Sequence, residues 1–440
     1  MSCPILWQNK DKTVTLIDIP RSIAAAQGTA EKSCTDALLS SEPLQDPFPS
    51  TDPKSADGKG RLTGNAAHDV LHEKYQRLLG QALVEARAFH HAEWCLKRTV
   101  VSSPRRGPAG SSKKRKVTGE EHGSDADQFR AIDLPNTLLT SITKPCLNPP
   151  DFRAQPDDST STGEYDPGSS LWNANTQPAT VTLTSHDITN GKSTDYNFRL
   201  PADSTFFLGD CSTPVAFHEV VRDQEQRFDF VLLDPPWPNR SVKRTHKTPG
   251  TSYSTIPTLE DIKALLLGLN IPALLSEKGY LGIWITNKPA IRDLVLNLFA
   301  CCGVDLVQEW IWLKTTAKGE PVTPLEGTWN GRKPYEVLLI GRKRPAHILP
   351  KEGIKRRVLI GVPDLHSRKP CLKEMIEDLI GHDGKTLEVF ARYLVSGWWS
   401  WGDECVKFNW NGFWRAESAD HTVNGKRSGD IDDTTSRSMS

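Results

Sequence analysis

The stretch Phe228-Asp229-Phe230-Val231-Leu232-Leu233-Asp234-Pro235-Pro236-Trp237 decides the fold of this chain. Its apolar run has no polar face, which is typical of a strand in a parallel sheet that helices cover on both sides. The run stops at an acid, two prolines and a tryptophan, so the strand is predicted to end in a stiff loop. Ligands in open α/β sheets bind beyond the carboxyl ends of strands, which makes this loop the first candidate for a functional site.

Short apolar runs around this strand predict an α/β domain over residues 181–415. The predicted strands cover residues 205–208, 228–233, 280–286, 304–313, 335–340 and 386–390, and the predicted helices cover residues 259–275, 288–301 and 372–380. Strands that alternate with helices favour a twisted, mostly parallel sheet flanked by helices.

The remainder of the chain is predicted to hold a small α+β module and linkers. Alternating residues over 4–22 predict a hairpin, and apolar residues spaced by three and four predict a helix over 69–96. Together they form an expected N-terminal module over residues 1–100, with a disordered segment at 40–64. Charged or proline-, glycine- and serine-rich composition predicts a mostly disordered linker over 101–180 and a disordered tail over 416–440.

Composition limits the classes of function. The 440 residues include 54 basic and 54 acidic side chains, so the overall charge indicates no partner. Nine cysteines without a Cys-x-x-Cys pair favour a reduced intracellular protein without a zinc cluster, and we expect no metal at His90, His91 and Cys95, because no further ligand cluster lies nearby. No secretory signal or membrane-length apolar segment is present, which predicts a soluble protein with no membrane partner.

The loop that begins at Asp234 has the groups needed to present an exocyclic amine to a methyl donor. The prolines lack N–H groups, so the Asp234 carboxylate and the Pro235 carbonyl remain as acceptors for the two amine hydrogens. Trp237 offers a face for stacking the base, an interaction worth about 1–3 kcal/mol. A sulfonium donor is already activated, so the transfer needs alignment rather than a nucleophilic side chain. In the alternative interpretation, the tetrapeptide only ends a strand with turn formers and a packing aromatic.

Several stretches resemble one family of enzymes. They are DPPWPNRSVKR at 234–244, WIWLK at 310–314, KPYE at 333–336, LHSRKP at 365–370, and LEVFAR at 387–392 followed by Gly397-Trp398. Over about residues 206–413 the chain resembles the MT-A type of adenine-N6 methyltransferases, and most closely the methyltransferase-like-four branch. The resemblance implies a Rossmann-like methyltransferase domain in which the catalytic loop precedes the donor-binding strand, a permuted order that Asp234 and Phe390 follow.

The resemblance also implies a role for individual residues. The expected catalytic residues are Asp234, Pro235, Pro236 and Trp237, and the expected contacts to the S-adenosylmethionine donor are Asp210, Cys211, Asp234, Lys369, Phe390, Arg392, Asp403 and Glu404. Among these, Asp210 and Cys211 would contact the adenine of the donor and Lys369 its carboxylate. Tyr393 and Asp403 stand where relatives commonly have asparagines, and an ionised Asp403 can accept a hydrogen bond but not donate one.

Basic and aromatic residues after the catalytic loop predict a wall for nucleic acid, with a solvated loop as the alternative. The expected substrate contacts are Trp237, Asn239, Arg240, Lys243, Arg244, Tyr253 and Tyr335. The target adenine must be single-stranded or flipped out of a duplex, because its amine is inaccessible in the stack. The resemblance implies an adenosine of small nuclear RNA, including a 2′-O-methylated form, with DNA adenine as the competing substrate.

Three functions are compatible with these observations: an active adenine methyltransferase, a non-catalytic RNA-binding subunit that supports a protein partner, and a transferase for a protein amide. The intact loop at Asp234 and the presence of Lys369 favour the first. The basic stretch 113–117 (KKRKV) resembles a nuclear import signal and predicts a nuclear protein, with a cytoplasmic pool as a second location. A nonspecific tether for nucleic acid is the alternative function of this stretch.

Overall fold

The computed structural model of the protein describes residues 3–29, 31–48, 66–100, 171–189, 192–238, 258–325, 333–344, 353–365 and 368–416. The strands are β1 (Ile5–Gln8), β2 (Val14–Ile17), β3 (Asp36–Ser40), β4 (Thr99–Val100), β5 (Leu171–Ala174), β6 (Val181–Thr189), β7 (Lys192–Leu200), β8 (Thr205–Leu208), β9 (Phe228–Leu233), β10 (Leu275–Ile285), β11 (Val304–Lys314), β12 (Tyr335–Lys343), β13 (Lys355–Gly361), β14 (Thr386–Val389), β15 (Trp399–Gly402) and β16 (Trp414–Ala416). The helices are α1 (Ile19–Ala25), α2 (Ala66–Phe89), α3 (Val215–Asp223), α4 (Leu259–Gly268), α5 (Ile271–Leu274), α6 (Pro289–Cys301) and α7 (Lys373–Ile380).

The largest sheet contains eleven strands in the order β1-β2-β13-β11-β12-β10-β9-β14-β15-β8-β5. Eight of these strands run in one direction, and β1, β12 and β5 run against them. The mostly parallel α/β fold predicted from the sequence is confirmed. Because parallel strands end at the same edge of a sheet, the carboxyl ends of β10, β9, β14, β15 and β8 lie side by side. We call this the catalytic edge.

Strand β9 is buried on both faces, as its continuous apolar sequence predicts. Val231 and Leu233 pack into a core layer that includes residues of α2, α3, α4 and α6. Phe230 and Leu232 pack into the opposite layer, which includes residues of α1 and α7. Side chains alternate between the two faces of a strand, so the buried residues from Phe230 to Leu233 are all apolar and the run ends at Asp234. Asp229, near the start of the strand, is only partly buried and accepts a hydrogen bond from the Ser276 hydroxyl at 2.7 Å.

The observed elements match the predicted ones most closely at the centre of the sheet. Strands β8 and β9 have the predicted bounds, whereas β10 begins earlier and β12 extends further than predicted. The single helix predicted over 259–275 is two helices, because the chain turns at Asn270, which has a left-handed φ of 46°. Pro272 then follows inside α5, and its missing N–H prevents a continuous helix. The helix predicted over 69–96 ends earlier, at Phe89.

The N-terminal residues complete the main sheet rather than forming a module apart from it. The predicted hairpin is present as β1 and β2, and β2 pairs in parallel with β13, with Val14 opposite Val358. Without this pairing, β13 would be an edge strand with unpaired backbone N–H and C=O groups. At the other end of the sheet, β5 pairs with β8, although it precedes the domain boundary expected at residue 181.

Part of the segment predicted to be disordered is held by backbone hydrogen bonds. The N–H of Ala317 donates to the carbonyl of Leu44 at 2.8 Å, and the N–H of Phe48 donates to the carbonyl of Val322 at 2.8 Å. Residues 49–65, 101–170 and 417–440, which include the basic stretch 113–117, lie outside the described residues. In the part of the chain that is described, no helix combines the length and the apolar character needed to cross a membrane.

Candidate active site

The predicted site residues lie at the ends of four neighbouring parallel strands. Asp234 follows β9, Phe390 follows β14, Asp403 follows β15, and Asp210 with Cys211 follows β8. This is the order in which the strands lie in the sheet. The fold therefore places residues that are far apart in the sequence along one edge, where an α/β protein binds its ligands.

Lys369 joins the catalytic loop to strand β12. Its ammonium donates to both carboxylate oxygens of Asp234, at 3.1 and 2.9 Å, and lies 3.3 Å from the Glu336 carboxylate. Lys314, at the end of β11, also donates to Glu336. The result is an alternating row of charges in which two lysines flank Glu336 and Lys369 reaches Asp234.

The charges in this row stabilise one another. Burial disfavours the charged form of Lys369, but the carboxylates of Asp234 and Glu336 raise the pKa of this lysine above its usual value. Burial likewise opposes the charge of Glu336, but Lys314 and Lys369 lower its pKa to about 2. Lys369 is therefore a cation at neutral pH. Its ion pair with Asp234 holds the side chain of Asp234 in place.

The catalytic loop is anchored at its aromatic end. The indole N–H of Trp237 donates to the carbonyl of Trp284 at 2.7 Å, and the backbone N–H of Trp237 donates to the carbonyl of Pro235 at 2.8 Å. Only 9% of Trp237 is exposed, so its ring packs in the core instead of presenting an open face. The Pro235 carbonyl retains a second lone pair for a substrate amine.

A strained residue follows strand β14. Phe390 has a φ of 61°, in the left-handed region that non-glycine residues seldom adopt. The next residue, Ala391, donates its N–H to the carbonyl of Trp401 at 3.0 Å. A side chain at Gly402 would meet the backbone of Ala391 at 3.2 Å, so a glycine allows β15 to approach this turn. Strain of this kind is characteristic of binding sites, where the surrounding structure imposes it.

Acidic groups collect at the ends of β8 and β15. Burial, together with repulsion from Glu404 and Asp210, raises the pKa of Asp403 above its usual value. Protonation, and with it hydrogen-bond donation, is therefore easier for Asp403 than for an ordinary aspartate. Glu404 is held by Lys407 at 2.8 Å and lies 3.6 Å from Arg392. Arg392 thereby links the end of β14 to this acidic corner.

Three residues that the sequence analysis considered for substrate or donor binding have buried side chains. Tyr335 is 1% exposed and its hydroxyl bonds to His72 of α2, so its side chain is not open to a substrate in this structure. Tyr393 is 6% exposed, and burial raises the pKa of its hydroxyl well above the usual value. Cys211 is also buried, which leaves its backbone rather than its thiol as the group suited to contact a donor.

Sequence reasoning gave no role to Glu388, which lies within the motif 387–392. Burial raises its pKa to about 8, with a further contribution from the nearby charge of Asp234, against the attraction of Arg392 and Lys369. One carboxylate oxygen of Glu388 is shielded from solvent and has no hydrogen-bond partner among the described residues. The sequence does contain a signal for this residue, because Glu388 is an acid one residue before the end of the predicted strand that leads to Phe390.

The basic wall predicted after the loop, with Asn239, Arg240, Lys243, Arg244 and Tyr253, lies outside the described residues. The described residues contain no group of three histidine, cysteine or acidic side chains that could hold a metal ion. In that part of the chain, His90 makes a contact of 3.0 Å with the carbonyl of Glu93.

The edge suits a donor such as S-adenosylmethionine, which carries a carboxylate and two positive groups. Lys369 and Arg392 offer positive charge, Asp234 offers a carboxylate, and Glu388 offers a carboxyl group with one oxygen that lacks a partner among the described residues. A mostly parallel sheet whose strand ends carry an acidic loop and a half-buried lysine has the arrangement expected of a Rossmann-like methyltransferase.

Comparison with known proteins identifies the family. The model of the MT-A70 family matches residues 228–404. The chain is 31% identical to the N6-methyladenosine RNA methyltransferase MTA1 of Cryphonectria parasitica, over 93% of the chain and 94% of that protein. It is 30% identical to the protein of the same name from Pyricularia oryzae, over 94% and 97%. It is 36% identical to the human N(6)-adenine-specific methyltransferase METTL4, over 48% and 43%.

The chain therefore belongs to the MT-A70 family. This membership confirms the class of enzyme expected from the loop at Asp234, an adenine-N6 methyltransferase. The similarity to the two fungal proteins extends over nearly the whole chain, and thus also over the N-terminal residues that complete the sheet.

Proposed function

We propose that the protein transfers the methyl group of S-adenosylmethionine to N6 of adenosine in RNA. The observation that carries the proposal is the intact loop at Asp234 joined to Lys369 on the catalytic edge. Similarity over nearly the full length to two fungal proteins named as RNA methyltransferases favours RNA over DNA. An adenosine of small nuclear RNA, with or without a 2′-O-methyl group, is the first target to test.

In this proposal, Asp234 and the Pro235 carbonyl orient the amine. An ionised carboxylate offers about four lone-pair sites, so Asp234 can accept from the amine while it remains bonded to Lys369. The sulfonium of the donor supplies an electrophilic methyl carbon. The amine nitrogen bonds to that carbon as the carbon–sulfur bond breaks, and the amine then loses a proton to solvent. Asp234 favours this step electrostatically, because it faces the positive charge that develops on nitrogen.

Lys369, Phe390 and Arg392 are assigned to donor binding. Lys369 is a cation beside the catalytic loop and suits the carboxylate of the donor, although Asp234 and Glu336 surround it in this structure. Phe390 has the backbone strain expected at a binding turn. Asp210, Cys211, Asp403 and Glu404 lie at the neighbouring strand ends, where the adenosine part of the donor would extend.

The test is methyl transfer from labelled S-adenosylmethionine to RNA and DNA oligonucleotides of matched sequence, with the modified nucleoside identified by mass spectrometry. Asp234→Asn keeps the shape of the side chain but removes the charge, and should abolish transfer with little loss of donor affinity. Glu219→Gln removes an exposed acid from α3 and is the control. Wild-type turnover in Asp234→Asn would refute the assignment of the loop.

The second candidates give different results in the same assay. Preferential transfer to the DNA oligonucleotide would select a DNA methyltransferase. RNA binding without transfer to any oligonucleotide, despite measurable donor binding, would select a scaffold subunit that requires a protein partner. A pair of RNA substrates with and without 2′-O-methylation on the target adenosine measures the preference for that group.

We also propose a nuclear location, on the basis of the basic stretch 113–117. A fluorescent fusion in which these lysines and the arginine are replaced by alanine should lose nuclear accumulation. A distribution equal to that of the unmodified fusion would exclude this stretch as an import signal.

A further inference from the structure

The segment that carries Lys369 is held on both sides by residues from the first hundred positions of the chain. Strand β13 ends at Gly361 and helix α7 begins at Lys373, so Lys369 lies in the irregular segment between them. The match to the MT-A70 family model includes this segment, but it does not extend to the N-terminal residues that hold it. These residues therefore lie outside the region that contains the catalytic motifs.

Arg98 holds the first part of the segment. It directly precedes strand β4, and its guanidinium donates to the carbonyls of Val362 and Pro363, each at 2.8 Å. Its side chain is 2% exposed and lies 3.9 Å from the Asp364 carboxylate. A planar guanidinium reaches two neighbouring carbonyls with separate nitrogens, whereas a lysine has one nitrogen at the end of its side chain. Arg98 thus fixes the direction of the backbone where it leaves β13.

Asp364 connects Arg98 to the residue next to Lys369. Its carboxylate accepts hydrogen bonds from the backbone N–H of Ser41 at 2.8 Å and from the Arg368 guanidinium. Arg368 also donates to the carbonyl of Leu39 at 3.0 Å, and both side chains of the ion pair are fully buried. Movement of this pair would leave a buried charge without its partner, which is costly. The backbone that leads into Lys369 is therefore held firmly.

A second anchor follows Lys369. The hydroxyl of Ser22, in helix α1, accepts a hydrogen bond from the backbone N–H of Cys371 at 2.9 Å and donates to the carbonyl of Ile19 at 2.7 Å. Ser22 and Cys371 are both buried, so water does not compete for this bond. The chain is thus fixed two residues after Lys369 as well as before it.

The two anchors belong to one N-terminal unit. Asp18, at the start of α1, accepts hydrogen bonds from the N–H of Arg21 and from the N–H of Leu96, both at 2.9 Å. The second bond links α1 to the stretch that leads to Arg98. The pairing of β2 with β13 joins this unit to the main sheet. Lys369 is therefore held against a frame that is itself part of the sheet.

We propose that Arg98 and Ser22 are positioning residues for methyl transfer, which hold Lys369 where its ammonium can bind the carboxylate of the donor. The inference rests on the proposed function, because it assumes that the donor carboxylate binds at Lys369. Asp234 and Glu336 hold the ammonium end of this lysine, and the N-terminal anchors hold its backbone. Such precision matters because a misplacement of about 1 Å can cost about a hundredfold in rate.

The test compares two ligands by calorimetry in the absence of RNA: S-adenosylmethionine and its decarboxylated form, which lacks only the carboxylate. Arg98→Lys keeps the charge but not the pair of nitrogens, and should weaken binding of S-adenosylmethionine about tenfold, the lower limit of the loss expected when the charge of Lys369 is removed. Ser22→Ala should weaken it about threefold, the loss of one hydrogen bond between neutral groups. Both variants should bind the decarboxylated form as the wild type does.

Two controls separate positioning from stability. Gly341→Ala crowds the core near the end of β12 opposite Glu336, and should lower the free energy of unfolding without changing the ratio of the two affinities. In protein that already carries Lys369→Gln, Arg98→Lys should not weaken binding further, because residues that act through one another are not additive. If urea unfolding shows that Arg98→Lys does not fold, Ser22→Ala decides the test, because it removes only one hydroxyl.

The failure of this inference is distinguishable from a failure of the proposed function. Wild-type affinity for S-adenosylmethionine in the folded variants would overturn the positioning role, and so would an equal loss of affinity for both ligands, which would indicate a general loosening of the site. Neither result would affect methyl transfer to RNA by the wild type. Absence of S-adenosylmethionine binding to the wild type would instead refute the proposed function.

Discussion

Glu388 should make the stability of the protein depend on pH in a way that one substitution removes. Its pKa is raised from 4.5 to about 8 in the folded protein. The folded protein therefore holds a proton that the unfolded chain releases as the pH rises from 4.5 to 8, so this residue lowers the free energy of unfolding across that interval. Glu388→Gln cannot ionise and avoids the loss.

The size of the effect follows from the shift. Each pH unit within the interval changes the free energy of unfolding by about 1.4 kcal/mol, which gives roughly 5 kcal/mol over the full interval. Glu388 is partly exposed, and solvent screening reduces the expected difference to on the order of 3 kcal/mol above pH 8. Glu388→Gln should thus be more stable than the wild type at pH 8, and the two should converge near pH 4.5.

Urea unfolding of the donor-free protein, followed by tryptophan fluorescence between pH 5 and 9, measures this difference. Glu219→Gln, which removes an exposed acid from α3, is the control substitution. A difference between Glu388→Gln and the wild type that did not vary with pH would show that this carboxyl group ionises as it does in water, and the reasoning about its burial would be wrong.

Three other substitutions test the remaining parts of the structure. Lys369→Gln should weaken donor binding in calorimetry by roughly ten- to a hundredfold, since it removes a charged partner; unchanged affinity would exclude the assigned donor orientation. Glu309→Gln should lower the free energy of unfolding by about 3–5 kcal/mol, because Arg292 and Arg356 both lose a buried partner. Urea unfolding measures this difference, and a decrease of less than about 1 kcal/mol would contradict the prediction. Gly341→Ala should lower the free energy of unfolding by about 1–3 kcal/mol in the same assay, because the added carbon would lie 2.2 Å from the Val304 side chain. Donor affinity should stay at the wild-type value. Wild-type stability would mean that the side chains around residue 341 can move to accept the extra carbon.

The sequence by itself determined the central strands and the identity of the loop. Strand β9 could be recognised because burial on both faces requires an unbroken apolar run, and its end could be recognised because prolines and an acid cannot continue it. The family resemblance then indicated Lys369 and the motif that contains Phe390. These features could be predicted because each depends only on residues that are close together in the sequence.

Only the tertiary structure decided which partners these elements meet. The pairing of β2 with β13 and the packing of α2 beside the catalytic edge join segments that are hundreds of residues apart. Apolar periodicity shows that a face will be buried, but not which surface buries it. For the same reason Tyr335 could be predicted as a substrate contact and yet lie against His72 in the core, and Glu388 acquires its unusual pKa only from charges brought to it by the fold.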